Sequence, residues 1–160
     1  AIRDKVNETV VLAVREGDFR VNVEAVEAIN AISQTQRIGE PIPLYAGATS
    51  RVFLSAMTAK ELADYLDRTE LEAFSDTTII SRARLEAEVE RVRQQGFALS
   101  TAEFTQGGIA VASIVRDGKG AGVAALHVSI PRSRASEELI EKCAAALKAG
   151  VETLERAIAA

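Results

Sequence analysis

Two pairs of β-rich runs, each joined by a turn of a few residues, are the feature of the sequence that most restricts its fold. In the first pair Gly17 can supply the positive φ of a tight turn, and in the second pair Asp117-Gly118 is a strong hairpin signal. A connection this short can join only antiparallel strands. The sequence therefore predicts two hairpins, in which residues 9–14 pair with 19–26 and residues 109–115 pair with 121–130.

Helical signals fill much of the remaining chain. Thr58 and Glu61 form a capping box, Gly96 suits the position after a helix end, and Ser136 suits an N-cap. Residues 30–43 are irregular and contain two prolines, which predicts a loop or an edge segment. The predicted helices are residues 48–57, 58–67, 81–95 and a long C-terminal helix. The fold class predicted is α/β, of the α+β type, with helices packed against an antiparallel sheet.

The composition excludes several classes of partner. The 160-residue chain has 19 Lys and Arg against 23 Asp and Glu, a net charge of −4, so no basic surplus is present for binding DNA phosphates. Aromatic residues are 4% of the chain, which is too few for base-stacking platforms. The single cysteine, Cys143, cannot form an internal disulfide, and no apolar run is long enough to span a membrane. We expect one cytoplasmic domain with no membrane partner.

A first candidate site lies where a loop meets a predicted helix, at Gly47-Ala48-Thr49-Ser50-Arg51. Free backbone N–H groups and the positive end of the helix dipole attract an anion at such a position. Small side chains would allow a ligand to approach the backbone closely. The alternative is that Thr49 or Ser50 only caps the helix. The segment lacks the Gly-x4-Gly-Lys-Ser/Thr pattern of a P-loop.

A second candidate is His127, the only histidine, in the last predicted strand. It shares a strand face with Ser129, whereas the opposite face is wholly apolar. The His127 face also holds Val123 and Ala125, and the apolar face holds Ala124, Leu126, Val128 and Ile130. The face that carries His127 is therefore either solvated or lines a pocket, and the side chain could titrate near neutral pH.

Catalytic and metal-binding patterns are not visible. One His and one Cys do not make a closed zinc site, and Cys143 lies on an apolar helix stripe where a small buried side chain is expected. Ser129 is too close to His127 on one strand to act as its nucleophile. Gln106-Gly107-Gly108 lacks the spacing of a dinucleotide-binding loop. We expect a protein that is not an enzyme and that holds no cofactor or metal.

The ordered set of motifs resembles the C-terminal effector-binding domain of IclR-type bacterial transcriptional regulators. The resemblance covers nearly all 160 residues. No single motif decides it, but their order along the chain is specific. The segments are NETVVLAV at 7–14, GEPIPLYAGATSR at 39–51 followed by FLSA at 53–56, TTI at 77–79, VRQQGFA at 92–98, Glu103 with GGIAVA at 107–112, and AALHVSIP at 124–131.

The resemblance implies a GAF-like antiparallel sheet flanked by helices, spanning residues 1–160, with residues 1–5 as the end of a linker helix. It implies a homodimer or homotetramer that binds DNA only through an N-terminal winged helix-turn-helix, which these residues do not contain. It also implies a ligand pocket between the sheet and a covering loop. The residues that match the family pocket are Ala31, Gln34, Ile42, Ala48, Thr49, Ser100, Gly108, Ala110, His127 and Ser129.

Four positions depart from the family pattern. Arg51 replaces a usual Lys, Tyr45 a common His, Ser100 a frequent acidic residue, and His127 a small hydroxyl residue. Arg51 and His127 suggest an anionic effector, which is either a short 2-oxo acid or a carboxylated aromatic ring.

Two alternatives to this sensor remain open from the sequence. One is a small enzyme acting on an organic acid, with His127 as general base beside the anion site at residues 47–50. The other is a GAF-like sensor module of a different signalling protein.

Overall fold

The computed structural model of the protein describes residues 2–29, 36–104 and 108–160 and shows an α+β fold built on one sheet. The helices are α1 (Ile2–Val6), α2 (Ala48–Ser55), α3 (Ala59–Asp67), α4 (Arg82–Gln95) and α5 (Glu137–Ala159). The strands are β1 (Thr9–Glu16), β2 (Phe19–Val26), β3 (Pro41–Pro43), β4 (Ala98–Thr101), β5 (Gly108–Arg116) and β6 (Gly122–Pro131). None of the helices in the described ranges combines the length and apolar character needed to cross a bilayer.

The six strands run in the order β3-β2-β1-β6-β5-β4, and every neighbouring pair is antiparallel. Both predicted hairpins are confirmed. Gly17 adopts φ 61° in the first turn. In the second turn the left-handed position is Gly120, with φ 83°, and not Gly118. That turn is held by Asp117, whose carboxylate accepts hydrogen bonds from two backbone N–H groups of the loop.

Helices cover both faces of the sheet and divide the core into two. On one face, α5 and α1 pack against the apolar residues of β5 and β6, and Cys143 is fully buried there. On the other face, α2, α3 and α4 bury a second cluster that includes Tyr65 and Leu85. The predicted caps are confirmed at Thr58, which forms a full capping box, and at Ser136.

The strand β2 contains a bulge that changes which of its side chains face α2. Leu12 pairs with Glu24 but its neighbour Ala13 pairs with Asn22, so Val23 is an extra residue. Directly paired residues of antiparallel strands point to the same face, and one extra residue moves all following side chains to the opposite face. Regular alternation along residues 21–26 predicts Val21, Val23 and Ala25 on one face and Asn22, Glu24 and Val26 on the other, and the bulge makes that prediction wrong. Asn22 lies on the α2 side of the sheet with Ala13, and so does Arg20.

Candidate ligand-binding site

A pocket of about 70 Å³ lies between the N-terminal end of α2 and the sheet face that carries His127. Its walls come from β2, the segment containing β3, the start of α2, β4 with the residues after it, β5 and β6. Eight predicted site residues line it: Ile42, Ala48, Thr49, Ser100, Gly108, Ala110, His127 and Ser129. The other two, Ala31 and Gln34, fall outside the described residues. The structure thus brings the eight together, and their binding of a ligand stays a prediction.

His127 lines the pocket and is only 4% exposed. Burial, and next the positive charge of Arg20, lower its pKa to about 3. The imidazole is therefore neutral at physiological pH and adds no charge to the pocket. Its Nδ1 atom is buried and has no hydrogen-bond partner within the described ranges. A buried nitrogen without a partner is uncommon and is a group that a bound ligand could satisfy.

Arg20 is a pocket residue that the sequence analysis missed. It is 7% exposed and lines the pocket, where its Nε donates to Ser50 Oγ at 3.1 Å and its Nη1 donates to Asn22 Oδ1 at 2.5 Å. Both partners are uncharged, and no ion pair joins Arg20 to a carboxylate in the part of the chain that the structure describes. Residues 30–35 and 105–107 contain no Asp or Glu in their sequence.

The charge of Arg20 persists despite its burial. Desolvation lowers the pKa of its guanidinium to about 10, which leaves the group protonated at neutral pH. The pocket thus holds a buried positive charge without an anionic partner among the described residues. The bulge at Val23 is the signal that would have located Arg20 on this face, but simple alternation along β2 does not reveal a bulge.

At the predicted anion site at the start of α2, one backbone N–H group, that of Gly47, already binds a carboxylate of the protein itself. Glu103 Oε2 accepts a hydrogen bond from Gly47 N at 3.2 Å and another from Arg51 Nη1 at 2.5 Å. Arg51 also donates from Nη2 to the carbonyl of Leu99 at 2.6 Å. Arg51 is not among the residues that line the pocket, and its guanidinium pairs with Glu103, so the structure does not support a contact between Arg51 and an anionic effector.

The simpler interpretation of the same segment, helix capping by Thr49 or Ser50, is also wrong. The N-cap of α2 is Gly47, with φ 86° and no side-chain cap. Ser50 instead holds Arg20 in place: its hydroxyl accepts from the guanidinium and donates to the carbonyl of Pro43 at 2.9 Å. Thr49 is buried in the pocket wall.

Proteins of known family resemble this chain in both sequence and fold. A family model described as "Bacterial transcriptional regulator IclR C-terminal" matches residues 1–156. The chain belongs to this IclR C-terminal family. The resemblance inferred from the sequence motifs and the predicted fold class are both confirmed.

Relatives of this IclR-family domain agree with the assignment. The HTH-type transcriptional repressor AllR of Salmonella typhi is 31% identical over 131 residues, which are 82% of this chain and 48% of the repressor. AllR of Klebsiella pneumoniae is 32% identical over 127 residues, or 79% of this chain and 47% of the repressor. The chain thus spans about half the length of the curated relatives it matches.

Solved structures give the same result. The IclR crystal structure of Thermotoga maritima has a TM-score of 0.93 and 30% identity, covering 99% of this chain and 64% of that one. The C-terminal domain of the Escherichia coli transcriptional regulator KdgR has a TM-score of 0.88 and 25% identity, covering 99% of this chain and 92% of that one. The IclR-family fold is therefore shown along almost the whole chain.

Proposed function

We propose that this IclR-family domain binds a small organic acid in the pocket between β6 and α2, and that binding controls a transcriptional regulator of which it is the sensor. The observation that carries the proposal is the buried guanidinium of Arg20, which faces the pocket without a carboxylate partner among the described residues. Burying an unpaired charge is costly, whereas a carboxylate ligand would form charge-assisted, bidentate hydrogen bonds with it.

The neutral side chain of His127 complements this role. It leaves Arg20 as the charged anchor, while the unpartnered Nδ1 can form a hydrogen bond to an oxygen of the ligand. The cavity of about 70 Å³ is far smaller than the roughly 300–1,000 Å³ of pockets for drug-sized ligands. This volume supports a short-chain acid over a carboxylated aromatic ring.

Effector binding is coupled to DNA binding by thermodynamic linkage. An effector that binds one conformation of the domain more tightly shifts the population toward that conformation. In a homodimer or homotetramer this shift would change the spacing of the N-terminal winged helix-turn-helix domains, through which the regulator meets DNA in the cytoplasm. The relatives named as helix-turn-helix transcriptional repressors support this arrangement.

The catalytic alternative is not favoured. An imidazole whose pKa is lowered to about 3 is a weak general base at neutral pH. The relatives found are transcriptional regulators, which supports a sensor that binds its ligand without turnover.

Calorimetric titration tests the proposal. Short monocarboxylates, 2-oxo acids and hydroxybenzoates are titrated into the wild-type domain and the Arg20→Gln variant. We expect one class of acid to bind the wild type, and the variant to lose roughly tenfold to a hundredfold in affinity, the range of one hydrogen bond to a charged group. Arg84→Gln, which removes the same charge from an exposed position on α4, is the control and should bind normally. The proposal fails if no acid binds or if Arg20→Gln binds as well as the control.

A further inference from the structure

Two arginines lie close to the pocket, but only one of them is open to a ligand. Arg20 lines the cavity, whereas Arg51 lies behind Glu103, which itself lines the cavity. Arg51 is 1% exposed and Glu103 is 7% exposed, so their ion pair is buried. The carboxylate of Glu103 thus separates the second buried cation from the space in which a ligand would bind.

Glu103 is held in position by its backbone as well as its side chain. Its carbonyl accepts hydrogen bonds from Thr78 Oγ1 at 2.7 Å and from Ser75 Oγ at 3.2 Å. The preceding residue, Ala102, adopts φ 52°, a left-handed conformation that is rare for alanine. These contacts fix the backbone that carries the carboxylate, and swinging the carboxylate away from Gly47 would break its two hydrogen bonds, to Gly47 N and to Arg51 Nη1.

The remaining charged groups of the pocket are already balanced or neutral. Arg37 pairs with Glu40 at 3.1 Å, and both of these side chains are exposed. His127 is neutral at physiological pH. With the charge of Arg51 cancelled by Glu103, the described residues leave a single uncompensated positive charge in the pocket, that of Arg20.

We propose that Glu103 restricts the effector to an acid with one carboxylate, by cancelling the charge of Arg51 and occupying the Gly47 N–H that a second carboxylate would need. The inference rests on the proposed function, because it specifies the ligand of the same pocket. A dicarboxylate of similar length would have to bury its second charge beside Glu103, where like charges repel and the charge of Arg51 is already neutralised.

Matched pairs of acids test this restriction by calorimetry at a pH near 7.5, where both carboxyl groups are ionised. The pairs are butanoate with succinate and 2-oxopentanoate with 2-oxoglutarate, which differ in the second carboxylate and not in carbon number. We expect the wild type to bind the monoacid of each pair more tightly by at least about tenfold. Equal or tighter binding of the dicarboxylate by the wild type overturns the inference, even if no variant folds.

Two variants then change the charge of the pocket in opposite directions. Glu103→Gln exposes the charge of Arg51 and should raise affinity for the dicarboxylate by at least about tenfold, the contribution of one charge-assisted hydrogen bond. Adding Arg51→Gln to Glu103→Gln removes that charge again and should restore the preference for the monoacid. Glu86→Gln, which alters only an exposed ion pair with Arg82 on α4 away from the pocket, is the matched control and should behave as wild type.

The outcomes separate this inference from the proposed function. If a folded Glu103→Gln variant binds the monoacid but gains no affinity for the dicarboxylate, the inferred role of Glu103 is overturned and the proposed sensor function is unaffected. Failure of every acid to bind the wild type refutes both. Circular dichroism and thermal unfolding establish that each variant is folded before its affinities are compared.

Discussion

The burial of His127 predicts a specific loss of stability in acid. Its pKa is about 3 in the folded protein against an ordinary value of 6.5, so between these values the unfolded chain binds a proton that the folded protein does not. The stability of the fold is therefore unaffected by this residue above pH 6.5 and falls as the pH is lowered toward 3. At a pH of about 5, some 1.5 units below the ordinary value, the loss is about 2 kcal/mol.

Urea denaturation at several pH values between about 7.5 and 5 measures this loss when the wild type is compared with His127→Gln. Glutamine keeps a polar side chain in the pocket but does not titrate. Carboxylates elsewhere titrate equally in both proteins, so their contributions cancel in the difference. We expect the wild type to lose about 2 kcal/mol more than the variant over this interval.

Parallel stability curves for the two proteins would refute the argument. They would mean that His127 is protonated as easily in the folded protein as in the unfolded chain. The pocket would then gain a second cation as the pH falls below 6.5, and the charge balance that leaves Arg20 as its single cation would hold only above that pH.

Two further predictions concern packing away from the pocket. The thiol of Cys143 is fully buried, and burial raises its pKa to about 11. It should therefore not react with a thiol reagent at neutral pH until urea unfolds the protein. Rapid reaction of the native protein would contradict this placement. A Cβ atom added at Gly122 would lie 2.7 Å from Ala56 Cβ and 3.1 Å from the side chain of Ile114. Gly122→Ala should therefore lower the free energy of unfolding, measured by urea titration, by roughly 1–3 kcal/mol. Gly118→Ala lies in the same hairpin without such a clash and should not lower it. Equal stability of the two variants would contradict this prediction.

The elements that the sequence predicted well are those whose signals are local. A capping box needs only Thr58 and Glu61 three residues apart, and a hairpin needs only two runs and a turn. The alternation that placed His127 and Ser129 on one face holds because β6 pairs regularly along that stretch. The family resemblance drew on the same kind of information, since its motifs are contiguous segments.

The parts that could not be predicted depend on contacts between distant segments. Glu103 meets Gly47 across 56 positions and Arg51 across 52 positions. Nothing near residue 47 in the sequence shows that its N–H group has a carboxylate partner. The helix start therefore predicted a site for an external anion, although the fold itself supplies a carboxylate to one of its N–H groups.

The bulge in β2 shows how one residue decides the chemistry of the pocket. In a regular ladder continued from the Val10–Val26 pair, Ala13 would face Val23 and Arg15 would face Val21, so valines would line this side of the sheet. The extra residue at Val23 replaces them with Asn22 and Arg20, since Ala13 and Arg15 pair with these residues instead.

An apolar wall would favour an uncharged ligand, whereas the wall that forms carries a buried cation, Arg20, whose charge an anion would balance. The proposed preference for an acid thus originates in strand register. In the proposal, Glu103, which lies between β4 and β5, then limits the ligand to one carboxylate. Because Arg20 and Glu103 lie on separate elements, substitutions at either position can alter the charge of the accepted ligand without rebuilding the sheet. The charge of the effector should therefore vary among relatives of this domain more readily than the fold does.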